Sequence, residues 1–348
     1  MKKMFCMFMT VVLAVSAFAL AGCNASSGEK LVVYNWEDYI GEEVLEMFEK
    51  ETGIKVVYDV FESNESMYAK VKNSGGYDIL FPSDYMIERL IKENMLEKID
   101  MSNVPNAVHI DNRFKNMAYD PTDEYAVSYM WGTVGITYNT KMVTETVDSW
   151  DILWDPAYAG QIFMYNSQRD AFAAALKRLG FSVNTRNVEE LNAARDSLME
   201  QLPLVQAYIS DAVKDKMIGN EGALALTYSG DVLYCLKDNP DLAYAIPKEG
   251  SNIWCDGMVI PKGAKNKANA EKFIDFMCRP EIAAINSEYI GFATTNIDAL
   301  QYIDEEFASH PAYWPDDETL DRCEIFYDLG DFIKEYEKAW NEIFINGL

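Results

Sequence analysis

Basic residues are scarce in this 348-residue chain: 30 lysines and arginines stand against 56 aspartates and glutamates. Nucleic-acid binding needs a basic face to neutralise phosphates, so charge excludes that class. Histidine is nearly absent, with only His109 and His310. No motif surrounds either, and both are expected to be structural. No G-x-S-x-G, H-E-x-x-H or G-x-x-x-x-G-K-[ST] pattern occurs, which removes the nucleophile elbow, the zincin helix and the phosphate-cradling loop. No two cysteines form a C-x-x-C pair, so a zinc site is not expected, and no other metal or cofactor is called for. Past residue 22, no apolar run is long enough to cross a bilayer.

The one long apolar run is at the start. Lys2 and Lys3 form a short positive region, Met4 to Leu20 carries no charge, and Leu20-Ala21-Gly22-Cys23 follows with small residues where a signal peptidase needs them. That order marks residues 1–22 as a secretory signal peptide rather than part of the fold. A retained transmembrane helix is the competing reading, since the run is nearly long enough to span. No basic stop-transfer cluster follows it, and Cys23 sits where bacterial lipoprotein signals place their cysteine. The chain is therefore expected outside the cytoplasm, on the cell surface or periplasmic face, held to the membrane by lipid on Cys23. Two acyl chains suffice for stable anchoring. Residues 23–29 then comprise the lipidated cysteine and a flexible polar tether.

The remaining 326 residues exceed what one core usually holds and predict two domains. Without the two signal lysines the net charge becomes −28. Such a field draws cations inward, although acidity also serves solubility and names no partner by itself. Cys235, Cys255, Cys278 and Cys323 remain. Export permits disulfides, and buried free thiols fit equally well.

A strand over Lys30–Trp36, a helix from Glu42 to Lys50 ended by Thr52-Gly53, and a strand over Ile54–Tyr58 make a β-α-β unit and imply a parallel sheet. A short helix over Ser66–Lys72, a strand over Asp78–Phe81 and a helix from Met86 to Glu93 follow. Ala126–Trp131 and Val134–Tyr138 read as two strand segments split by Gly132-Thr133, a candidate crossing between lobes. A second α/β region has helices at Ala171–Leu179 and Val188–Leu202, and strands at Ala223–Tyr228, Leu242–Ile246 and Ile253–Ile260. Helices at Ala268–Cys278, Pro280–Tyr289 and Phe332–Ile345 complete it.

Ligands of open α/β sheets gather at the carboxyl ends of strands. Those ends carry Trp36, Asp38 and Tyr39, then Ser83 and Tyr85, then Tyr228 and Asp231, then Trp254 and Asp256. Aromatic faces with carboxylates suit an organic cation: each face attracts an ammonium by about 0.5–2 kcal/mol, and an unpaired buried carboxylate needs a counter-charge. Singly, each aromatic could be core and each acid a helix cap; recurrence at successive strand ends favours a site. The same residue types also fit a sugar receptor on this fold, or a surface glycosidase using two carboxylates.

Val33-Tyr34-Asn35-Trp36-Glu37-Asp38-Tyr39-Ile40 resembles the opening strand of the bacterial polyamine-binding proteins, the spermidine/putrescine receptors of ABC importers. The similarity runs through Thr52-Gly53-Ile54-Lys55-Val56, Glu62 to Lys70, Tyr77-Asp78-Ile79 with Pro82-Ser83, Trp131-Gly132-Thr133, Ser149 to Trp154, Trp254-Cys255-Asp256 and Ile290-Gly291-Phe292. It covers nearly all of the chain after the signal.

The resemblance implies a type II-like periplasmic-binding-protein fold: two α/β lobes, each a mainly parallel sheet flanked by helices, with ligand in the cleft between them. Lobe one would hold residues 30–132 and 258–300, and lobe two residues 133–257 and 301–348. It implies no catalysis, delivery of a polyamine to an ABC permease, and a monomer. Trp36, Tyr39, Tyr85 and Trp254 match aromatic pocket positions, Asp38, Asp170 and Asp256 match amine-binding acids, and Ser83 matches a polar contact. Asp256 is the foremost ammonium partner. The chain also departs from the pattern. Tyr228 stands where a tryptophan is usual, Phe292 replaces a tyrosine, and Asp231 resembles an acid of putrescine-type members. Ser167 stands where spermidine-type members carry an acid, and Phe326 replaces a polar residue. Fewer acids at that end favour a diamine over a triamine.

Overall fold

The computed structural model describes residues 29–37 and 39–346. The signal peptide, Cys23 and Asp38 lie outside the described residues. The chain opens with β1 (Lys30–Trp36), α1 (Glu42–Thr52) and β2 (Lys55–Phe61). Gly53 closes α1 at φ 74°, a left-handed conformation natural to glycine, and its N–H bonds Glu49 O. Helix α2 (Asn64–Ser74) begins two residues before the expected Ser66, because Ser63 Oγ accepts the Ser66 N–H and caps it. Then come β3 (Ile79–Leu80), α3 (Asp84–Lys92) and β4 (Ala126–Asn139).

The second region contains β5 (Ile162–Tyr165), α4 (Gln168–Arg178), α5 (Val188–Gln201), β6 (Val205–Ile209), α6 (Ala212–Ile218), β7 (Leu224–Tyr228) and α7 (Ser229–Leu236). It continues with β8 (Leu242–Ala245), β9 (Asn252–Val259), α8 (Lys267–Met277), α9 (Pro280–Ile290), β10 (Ala293–Thr294), β11 (Glu324–Ile325) and α10 (Ile333–Asn346). Among the described residues no helix is long and apolar enough to cross a membrane.

The main strand path is β2-β1-β3-β9-β4-β7-β5-β6. Parallel pairs join β1 to β2 and β3, and β5 to β6 and β7. Along that path β4 and β9 run antiparallel to their neighbours, while β11 lies parallel to β9, so the sheet is mixed in both halves. Where two segments were expected, β4 is one strand of 14 residues. It pairs with β9 as far as Thr133↔Ile253 and with β7 from Val134↔Tyr228. Gly132 marks the change of partner. A Cβ there would meet Trp254 Cζ2 at 2.7 Å and Ser229 Oγ at 2.8 Å, so only glycine lets β4 pass beneath that indole. The four cysteines of the described chain are free thiols, three of them buried and Cys323 partly exposed.

Candidate ligand site between the two sheets

Asp256 lies inside β9 rather than at a strand end, at the point where the register between β4 and β9 shifts. It forms an isolated antiparallel bridge with Ser83, and the Gly257 N–H bonds Pro82 O at 3.0 Å. Asp84 reinforces that junction from below: its carboxylate accepts the backbone N–H of Tyr85 at 2.6 Å and of Cys255 at 3.2 Å. The start of α3 and the site end of β9 are thus tied through one fully buried side chain. Tyr39 is held by its carbonyl, which accepts the Tyr129 hydroxyl, and its own hydroxyl donates to Asp256 Oδ2 at 2.8 Å.

Asp256 is only 5% exposed. Burial pushes its carboxyl up to about 6, against the opposing pull of Ser83 and Tyr39. Its Oδ1 accepts no hydrogen bond, and no lysine or arginine pairs with it, among the described residues. An ionised carboxylate in that position is short of positive charge.

An aromatic run leads away from it. Tyr39 meets Phe292 edge-on at 6.1 Å between centroids, Phe292 meets Trp254 at 5.0 Å, and Trp254 meets Tyr228 at 6.0 Å. Gly230, at the start of α7, lets Phe292 in; a Cβ there would fall 1.7 Å from Phe292 Cδ1. The structure does not join Trp36 to this run: its indole N–H donates to Phe81 O at 2.8 Å and its ring lies against Phe61.

At the far side the Tyr228 hydroxyl donates to Asp170 Oδ2 at 2.7 Å. Burial raises the Asp170 carboxyl, and hydrogen bonds from Ser167 and Tyr228 oppose the rise. Asp231 accepts the Tyr228 N–H at 3.2 Å, and burial lifts its carboxyl to about 6 with Lys214 opposing. The site therefore has two acidic poles separated by ring faces, a shape made for a chain that carries a positive charge at each end.

The family model of the bacterial extracellular solute-binding proteins matches residues 43–315. The spermidine/putrescine-binding periplasmic protein of Salmonella typhimurium is 36% identical over 337 residues, covering 95% of this chain and 97% of its own. The chain belongs to the spermidine/putrescine-binding family of bacterial extracellular solute-binding proteins. Among solved structures, the spermidine/putrescine ABC transporter substrate-binding protein PotD of Streptococcus pneumoniae, in complex with calcium and HEPES, superposes with a TM-score of 0.83. It is 38% identical and covers 92% of this chain and 100% of that one. The TpPotD lipoprotein of Treponema pallidum gives 0.83 at 29% identity, covering 90% and 99%. The fold is the family's type II binding-protein fold, with two mixed α/β lobes. Solute-binding proteins of this family do not catalyse, and this chain is not an enzyme.

For a solute-binding protein the geometry is informative residue by residue. Ser83, Asp256, Tyr39, Phe292, Trp254, Tyr228, Asp170 and Asp231 form one connected series of contacts. Tyr85 joins it less directly: its hydroxyl donates to Glu65 Oε1, and its ring lies 5.8 Å from the Arg169 guanidinium. Among the described residues no group of three or more His, Cys, Asp or Glu could hold a metal ion. His109 contacts Asp298, and His310 accepts the Ala312 N–H, both ordinary structural uses.

Sequence reasoning missed Asp84, Arg169 and Gly230, and took Gly132 for a break between two strand segments. Asp84 reads as a plain first-turn acid after Pro82-Ser83, and Arg169 as a solvated neighbour of Asp170. Their burial is set by α3 meeting β9 and by the segment around Phe326 covering α4, contacts between residues far apart in the chain.

Proposed function

We propose that this chain captures a polyamine, putrescine or spermidine, between its two lobes and delivers it to an ABC permease. The observation that carries the reading is Asp256: a buried carboxylate with a free oxygen, no cationic partner among the described residues, and an aromatic run beside it. An ammonium would complete its hydrogen bonding and its charge together. The names of the relatives from Salmonella typhimurium and Streptococcus pneumoniae support the same ligand class.

In this reading Asp256 takes one ammonium, with Tyr39 and Ser83 orienting the carboxylate. Asp170 and Asp231 take the other through the Tyr228 end. Trp36, Tyr85, Trp254 and Phe292 cover the methylenes, and Asp38 adds an acid at the first strand end. The lobes divide near 132/133 and 257/258, a division supported at its first point by the change of partner along β4. The protein works outside the cytoplasm as a monomer, and lipid on Cys23 keeps it beside its permease. The lipoprotein nature of the Treponema pallidum relative supports the anchor.

A thermal-shift panel of diamines, triamines, amino acids and sugars tests the ligand class. A ligand at about 100 times its Kd stabilises the native state by about 2.7 kcal/mol, which displaces the melting transition clearly. Polyamines are expected to raise Tm and sugars to leave it unchanged. A sugar that raises it, with polyamines inert, overturns the proposal.

A further inference from the structure

We infer that the crossing strands β4 and β9 carry a second small-molecule site on their rear face, fitted to an uncharged single-ring compound with one oxygen acceptor. Successive side chains of a strand point to opposite faces. Gly132 and Trp254 are paired across β4 and β9 on the side of the aromatic run. Trp131 and Ile253, each one residue away, therefore face the other side. There they line a cavity of about 180 Å³ together with Phe114 and Met117, which precede β4, and Leu320 and Ile325 of the C-terminal segment. Ile325 lies directly beside Ile253 in the parallel pairing of β11 with β9. On the division proposed above, Phe114, Met117 and Trp131 belong to one lobe and Ile253, Leu320 and Ile325 to the other.

Size, hydrogen bonding and charge select the occupant. An apolar cavity of about 150 Å³ takes up benzene, so this one holds a ring with a short polar arm. Trp131 is 1% exposed, and its indole N–H is buried with no acceptor among the described residues. Buried donors ordinarily have a partner. Trp36, Trp150 and Trp154 each donate to a backbone carbonyl. The other buried indole N–H without an acceptor belongs to Trp254, beside the amine site. No carboxylate lines the cavity among the described residues. Arg113 does line it, with its guanidinium carbon 4.3 Å from the Trp314 ring centroid and Asp111 accepting from Nε and Nη2. An ammonium would find a like charge there and no counter-charge, the reverse of the cleft. A neutral ring would instead lie against Phe114 and Trp131, whose own rings are 5.0 Å apart, and its oxygen would accept the Trp131 N–H. Because it touches both lobes, such an occupant favours the arrangement described, in which Tyr85 packs against Phe326 across the cleft. It thereby tightens amine capture, and the amine tightens it in return; this coupling rests on the polyamine reading.

The test follows the tryptophan indole signals of isotope-labelled protein by NMR during titration with benzyl alcohol, toluene and benzylammonium, with and without saturating putrescine. Trp131→Phe assigns the Trp131 signal. Benzyl alcohol is expected to shift that signal saturably with a Kd of about 1 mM or below. It should bind at least about threefold more tightly than toluene, which lacks the acceptor, and, with putrescine holding the cleft, at least about tenfold more tightly than benzylammonium. In Trp131→Phe, followed at the neighbouring Trp314 signal, benzyl alcohol and toluene should bind alike. Leu320→Trp, which fills the cavity from a half-buried position, should weaken benzyl alcohol by about tenfold or more. Putrescine should leave the probe in place and tighten it about threefold. Absence of a saturable Trp131 shift, undiminished binding by Leu320→Trp, or displacement of the probe by putrescine overturns the site. Probe affinity that bound putrescine does not change overturns the coupling. Failure of putrescine to bind at all would instead overturn the polyamine reading, leaving the cavity arms of the test intact.

Discussion

Replacing Asp256 by asparagine should weaken ligand capture and, near neutral pH, make the empty protein more stable. The carboxyl sits at about 6 in the folded protein, whereas an ordinary aspartate titrates near 3.9. For an acid whose folded value is raised, folding is favoured below the unfolded value, and that advantage is lost as pH rises through the folded value. Between roughly pH 4 and pH 7.5 the wild-type protein therefore loses about 2–3 kcal/mol at this residue. Asparagine does not titrate. Its oxygen can still accept the Tyr39 hydroxyl, but its amide would stand where Oδ1 has no partner among the described residues, at a cost of about 1–2 kcal/mol. The balance at pH 7.5 is a gain of about 1 kcal/mol, worth a few degrees in Tm, and at pH 4 a loss of similar size. Calorimetric melting of both proteins without ligand at the two pH values measures this directly. A difference between the variants that stays the same at both pH values would refute the reasoning, because the effect must follow the titration of one carboxyl.

Three further outcomes follow from the same geometry. Amine affinity should fall about tenfold per pH unit below 6, since the ligand stays protonated while Asp256 must lose its proton, and binding near pH 5.5 should release protons into buffer; titrations in buffers of different ionisation heat read both, and flat affinity from pH 7 to 5 would contradict them. Gly230→Ala should lower amine affinity about tenfold or more by driving Phe292 off Trp254, and adding Phe292→Ala should recover part of it; an unimpaired Gly230→Ala protein would show that the close approach is not needed. Cys23→Ser should leave amine binding by the purified protein unchanged and lower its membrane-bound fraction on cell fractionation; equal fractionation of the two proteins would rule out the anchor.

Much of the fold could be read from residue order because its first elements are local. Apolar runs at Lys30–Trp36 and the next strand, with Gly53 between, specify a β-α-β unit without reference to the rest of the chain. Strand β4 was harder. Gly132 reads as a break, yet it is there so that Trp254 can lie against an unbroken strand. Helix α7 has no separate signal in the residue order, because it starts at Ser229, directly after Tyr228 ends its strand. Strands β5 and β6 are short or half-exposed and carry little periodic signal. In the site, strand-end position marked Tyr228, which does end β7, whereas Trp254 and Asp256, expected at a strand end, lie inside β9 and were marked only by residue type and resemblance. Nothing local distinguishes Arg169 from a surface arginine; its environment is made by Phe326 and Tyr327, more than a hundred residues later.

The proposed function turns on Asp256 and the rings beside it holding a polyamine. Isothermal titration of putrescine and spermidine into the wild-type protein and Asp256→Asn at pH 7.5, with an unrelated sugar in parallel, tests it most directly. Saturable one-to-one heat is expected with at least one amine, at least about tenfold weaker binding in the variant, and no heat with the sugar. Absence of heat with both amines at millimolar concentration, or equal affinity in the two proteins, would contradict it.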